Sequence, residues 1–242
     1  MKLVLMHARA MTVELVRYPA FLVPTLIFPA VFFLFFISPG DARGATARMA
    51  AFAGFAVIGV AFFQFGVGIS SERGSPWERY LRTLPVGPCV RLAARLLSAA
   101  VFACAAALLL LGTAVAATDV SLPAGRWALL ALALLVGTIP FAFLGLALGY
   151  WAPAKGALPI ANLLYLALSY AGGLWSRPAK LPHVVQAISP YLPTRALSDT
   201  LVDTALGAPV AWTAVTSLAA FGSVFAAIAA AGYRRDEGRR FS

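Results

Sequence analysis

Six apolar runs constrain this chain most: Ala20–Ile37, Met49–Ile69, Leu92–Ala117, Trp127–Trp151, Ala157–Trp175 and Val210–Ala231. Each is near or above the ~20 residues needed to cross a bilayer. Backbone groups in hydrocarbon must find partners inside their own element, so such runs fold as helices. A transmembrane barrel would instead alternate apolar and polar residues over strands of ~10 residues. With 12% charged residues the chain also lies well below the ~25% of soluble domains. The expected fold is all-α: a polytopic membrane protein with six transmembrane helices, forming a single domain over residues 1–242.

The flanks refine this expectation. The first run exceeds the ~7–15 residues of a signal-peptide core, so it reads as a retained span. Pro24 and Pro29 are tolerated there because neighbouring helices can satisfy the freed carbonyls. Before it, Leu5, Ala8, Met11 and Leu15 recur at helical spacing among Lys2, Arg9, Glu14 and Arg17. Residues 1–18 therefore read as an N-terminal surface helix on the membrane. Gly40–Arg48 reads as a short polar turn. Residues 176–209, between spans five and six, contain two amphipathic pieces, Pro182–Ile188 and Thr194–Leu206. Both are too short to span and read as external re-entrant or interfacial helices.

A net charge of +10 could suggest nucleic acid, but the charges punctuate the spans instead of forming a face. Of the 19 Lys and Arg residues, only Arg43, Arg48, Arg126, Arg177, Lys180 and Arg195 fall on one side of a six-span layout. The basic-rich side faces the cytoplasm, which puts both termini and residues 71–90 there.

That cytoplasmic segment carries a helix signature. Ser75 and Glu78 form a capping box with Pro76 at the first helical position, and Pro85 limits the run. Trp77, Tyr80, Leu81 and Leu84 fall on one side of the helix, with Glu78, Arg79 and Arg82 elsewhere. Two readings fit: a loop helix resting on the bilayer, or a docking helix for a soluble partner.

Polar residues inside spans are rare and often functional. Gln64 lies in the second run, and Asn162, Tyr165 and Ser169 recur at one-face spacing in the fifth. They fit either hydrogen bonding between helices or a substrate pathway. Gly145 and Gly149 form a close-packing pair. No charged residue sits deep in a span, which argues against ion coupling. His7 and His183 lie outside the spans, so no intramembrane catalytic or metal cluster is expected. Asp199 and Asp203, with Arg195 before them, read as a helical ion-pair set. Cys89 and Cys104 suggest neither a disulfide nor a metal site, but small buried hydrophobes. None of Lys2, Lys155 and Lys180 follows a phosphate-binding loop pattern, so any ATP hydrolysis belongs to another chain.

Over nearly its whole length the sequence resembles the permease subunits of type-2 ABC exporters. The resemblance rests on Ser71-Glu72-Arg73-Gly74, Glu78-Arg79-Tyr80-Leu81 and Thr83-Leu84-Pro85-Val86 after the second span. It also rests on Asn162 in the fifth span, Ala171-Gly172-Gly173-Leu174-Trp175 at its end, and the proline-rich stretch from Leu181-Pro182 through Leu192-Pro193. The resemblance implies a permease in a bacterial-type cell (inner) membrane, paired with a second permease chain as homodimer or heterodimer. Two copies of a cytoplasmic ABC ATPase would bind below and carry ATP and Mg, with no cofactor on this chain and no nucleic acid. Glu72, Arg73, Ser75, Trp77, Glu78, Arg79, Tyr80, Leu81 and Arg82 would couple to that ATPase. The cargo would be a small hydrophobic or amphipathic compound, moved outward. A non-transporting scaffold or sensor using the same docking helix is the alternative.

Overall fold

The computed structural model describes residues 2–37, 41–73, 75, 88–176, 179 and 181–238. Among them are helices and turns but no strand. α1 is Lys2–Val16. α2 runs through Pro19–Leu22, a π-helical stretch Val23–Ile27 and Phe28–Phe36. α3 is Ala42–Glu72, with a second π-helical stretch at Ala61–Gly68. α4 is Pro88–Ala117 and α5 is Ala124–Trp151, interrupted at Thr138. α6 is Ala154–Ala171, α7 His183–Ile188, α8 Pro193–Leu206 and α9 Trp212–Gly238.

Among the described residues, four helices are long and apolar enough to cross a membrane: α3, Val90–Ala117 of α4, α5, and Trp212–Glu237 of α9. The apolar part of α2, Val23–Phe36, is shorter, and α6 has 18 residues. Leu108, Leu129, Leu135 and Leu163 point out of the bundle, where water would penalise them and lipid would not.

Two expected boundaries move. Residues 42–48 are already helical, because Asp41 caps α3 by accepting the Gly44 amide at 2.7 Å. The polar turn is therefore shorter than the composition suggested. α9 continues past Ala231 to Gly238, so part of the charged tail is helix. Cys104 is exposed on α4, not buried: its place on the helix faces outward, where lipid suits it equally.

α3 is the axis. Most of its apolar window is buried (83%), against 11% for α9. It packs against α2, α4, α5, α6 and α8, with Phe52, Phe55 and Phe62 fully enclosed. α1 packs on α4, where Thr12 donates to Ser98 at 3.1 Å and Ala8 is buried.

α5 and α6 leave a common turn at Ala152–Pro153, but α6 is 10 residues shorter than α5. At 1.5 Å per residue, α6 stops about 15 Å short of the start of α5. α8 fills that space. Three glycines make room for it: a Cβ on Gly54 would meet Leu201 at 2.7 Å, one on Gly137 Leu197 at 2.4 Å, and one on Gly172 Thr194 at 2.2 Å. Thr194 then donates to the Leu168 carbonyl at 2.7 Å, closing the end of α6. α8 ends in a left-handed Gly207 cap covered by Arg126. The piece expected to be interfacial or re-entrant is thus embedded in the bundle. Arg195 donates to Asp199 at 2.7 Å as the i, i+4 spacing predicts.

Candidate functional site

The site lies at the Glu72 end of α3, where the chain leaves for residues 76–87. Trp77, Glu78, Arg79, Tyr80, Leu81 and Arg82 lie outside the described residues. Of the expected coupling set, Glu72, Arg73 and Ser75 are described.

The local geometry begins with the glycine pair of α5. A Cβ on Gly145 would lie 2.4 Å from the Ala61 carbonyl oxygen, and one on Gly149 2.4 Å from that of Phe65. Only glycine lets α5 press directly onto the π-helical stretch of α3. This approach brings the last turn of α5 beside the last turn of α3. Ser70 donates to the Ala152 carbonyl at 2.9 Å. Arg73 donates to the Tyr150 carbonyl at 2.5 Å and the Ala152 carbonyl at 2.8 Å. A guanidinium thereby satisfies carbonyls that a helix C-terminus leaves unpaired, and it opposes the negative end of the helix dipole.

Charged partners complete the junction. Arg73 faces Asp236 of α9 at 3.5 Å. Arg95 of α4 pairs with Glu72 and donates to the Gln64 carbonyl at 3.0 Å. The Ser75 amide donates to the Glu72 carbonyl at 2.8 Å, turning the chain after α3. Glu72 and Arg73, adjacent in sequence, thus tie the exit of α3 to α4, α5 and α9. What the junction can do is transmit displacement: movement of the chain after Arg73 is felt by three helices.

The polar residues of the spans divide differently. Tyr165 donates to the Phe55 carbonyl at 3.0 Å, and its ring stacks on Phe55 at 4.5 Å. Gly59 leaves room for that ring. Asn162 and Tyr165 line a groove of about 370 Å³ with Val23, Pro24, Ile27, Phe28 and Phe63. Both π-helical stretches border this groove, one through Val23 and Ile27 and the other through Phe63. π-helical segments occur often at functional sites. Gln64 and Ser169 are buried and do not line it; Gln64 Nε2 and Ser169 Oγ have no hydrogen-bond partner among the described residues. The described residues hold no cluster of metal-ligating side chains.

Sequence reasoning missed Arg95, Asp236 and the Tyr150 and Ala152 carbonyls. One signal was present: the Gly145–Gly149 pair marks the fourth run as a close-packing helix, and the structure puts the exit of α3 against it.

Comparison with known proteins agrees with this architecture. The family model described as "ABC-2 family transporter protein" matches residues 42–231. The curated protein "Putative transport permease YvfS" of Bacillus subtilis (strain 168) is 23% identical over 218 residues, covering 88% of this chain and 89% of that protein. No solved structure matches.

Proposed function

The chain belongs to the ABC-2 family of transporter proteins, and from that premise we propose that it is the permease subunit of an ATP-driven exporter. Two ATPase subunits on the cytoplasmic side would hydrolyse ATP with Mg²⁺. A second permease chain, identical or related, would complete the path through the membrane. The carrying observation is the Glu72–Arg73 junction, which binds the start of the expected coupling segment to α4, α5 and α9. Nucleotide-driven closure would push on Trp77–Leu84 and reach the bundle through this junction.

The cargo would be a small hydrophobic or amphipathic compound. Support comes from the groove beside Asn162 and Tyr165, apolar but for these two polar groups. In this reading Gln64 and Ser169 lie behind the pathway wall, where their unpartnered side chains can respond to a shift of α3 or α6. α8, seated between helices, would close the outer end. Both termini would be cytoplasmic and six helices would cross the bilayer, with α2 and α6 among them.

The test is export of a panel of fluorescent amphipathic dyes from cells expressing the chain with its ATPase. Trp77→Ala combined with Leu81→Ala should abolish export at unchanged chain abundance. Full export by that variant sinks the coupling role. ATPase binding without export of any compound would favour the scaffold or sensor reading.

A further inference from the structure

We propose that the last turns of α9, Tyr233–Glu237, act as a strut that holds the exit of α3, with Asp236 as its positioning residue. The consequence for transport rests on the permease reading; the strut itself does not.

Four contacts join these turns and the turn before them to the end of α5, two from Tyr233 and Arg235 and two from Ile228 and Gly232. Tyr233 meets Tyr150 edge to face at 5.6 Å. Arg235 lies over the Trp151 ring at 4.9 Å. The Trp151 indole donates to the Ile228 carbonyl at 3.0 Å. Gly232 admits the same indole, since a Cβ there would meet it at 2.6 Å. The fifth contact, Asp236 to Arg73, leaves α5 and reaches α3.

Arg73 is therefore held by two elements at once. The Tyr150 and Ala152 carbonyls fix its guanidinium from α5, and Asp236 fixes it from α9. An exposed ion pair would count for little. This one is mostly shielded, with side-chain exposures of 21% for Arg73 and 18% for Asp236. Arg73, Tyr150, Trp151, Pro153, Arg235 and Asp236 also surround a small cavity of about 200 Å³, so the joint has room to open without unpacking the bundle.

The sequence explains why this is a separate device. The apolar part of α9 ends near Ala231, and nothing about spanning requires the following Arg-Arg-Asp-Glu to be helical. It is helical and docked on α5. α9 is otherwise the least enclosed of the long helices, with 11% of its apolar window buried. The strut thus gives a peripheral helix a direct grip on the exit of the central one, and it sets the direction in which the chain leaves Arg73 for residues 76–87.

The test uses the full chain in lipid nanodiscs, with Cys89→Ser and Cys104→Ser, carrying nitroxide labels at Ser71→Cys and Arg234→Cys. Pulsed electron resonance should give one narrow distance, broadened by Asp236→Asn and restored by Asp236→Glu. An unchanged distribution in Asp236→Asn overturns the strut. A second arm adds the co-purified ATPase and MgATP. Asp236→Asn should lower ATP turnover roughly two- to tenfold at unchanged ATPase stoichiometry, the range expected for weakened coupling, with Asp236→Glu recovering most of it. Loss of ATPase and of thermal stability in step, without rescue by Asp236→Glu, overturns the positioning role. If no ATPase co-purifies with the parent chain, the permease reading fails while the distance arm still judges the strut.

Discussion

The two halves of α3 are held by different physics. Toward Ala42, it receives α8 through steric fit, with Leu201 and Leu197 against Gly54, and a guanidinium contact, Arg48 on the Phe36 carbonyl, lies at its first turns. Toward Glu72, the close packing of α5 through Gly145 and Gly149 is joined by guanidinium groups: Arg73 on carbonyls and Asp236, Arg95 on Glu72 and the Gln64 carbonyl. Close packing resists deformation until it fails. Ion pairs and capping bonds can yield by a small rotation and re-form. Under the proposed transport function, a helix that stays closed at one end and responds to force at the other would need both kinds of contact.

Breaking the packed half should cost most. Gly172→Val would drive a side chain into Thr194, including its backbone carbon at 2.8 Å. A loss of about 3 kcal/mol or more is expected from such overpacking, read as failure to obtain a monodisperse protein or a large fall in melting temperature. Leu201→Ala empties a fully buried site and should cost about 2–5 kcal/mol, measured by thermal unfolding in detergent.

Breaking the charged half should cost less stability and more function. Arg73→Ala removes two carbonyl bonds and the Asp236 partner. The expected loss is about 2 kcal/mol, in the range for bonds made by charged groups, while ATP turnover of the complex should fall further than the melting temperature implies. Salt separates the halves more gently. Raising ionic strength should speed amide exchange at residues 69–73, because Glu72 is half exposed, and leave exchange in α8 unchanged.

The smallest effect belongs to Asp203 on α8. Burial, then the charge of Asp199, pushes its carboxyl above the usual value of 3.8. A raised acid pKa means the folded state disfavours the charged form. Stability should rise as pH falls through the raised pKa, and the gain should be complete below the ordinary carboxylate value. Asp203→Asn should flatten that part of the melting-temperature profile; an unaltered slope would remove Asp203 as its source.

Some of this was legible in the residues. Apolar run length gave the helices, and prolines 182, 190 and 193 bracketed α7 and α8 closely. The Gly145–Gly149 spacing announced close packing, and the structure supplies its partner in the π-helical stretch of α3. The start of α3 was misread because Ala42–Arg48 looks polar, yet one Asp41 cap suffices to make it helix. The docking of Tyr233 and Arg235 was not legible because its surface, Tyr150 and Trp151, lies more than 80 residues earlier. Glu72 and Arg73 were legible as a motif. Their partners Arg95 and Asp236 were not, since ion pairing across helices follows register that no local pattern encodes.

In the proposed function, force enters this chain from a separate ATPase through the segment after Arg73. Affinity purification of the chain from its native membrane, followed by mass spectrometry, tests it most directly. An ABC ATPase should be recovered in equal copy number with the permease chains, and lost when Trp77 and Leu81 are both replaced by alanine. Purification without any ATPase, or full retention of it by the double variant, would mean that force does not enter this chain there.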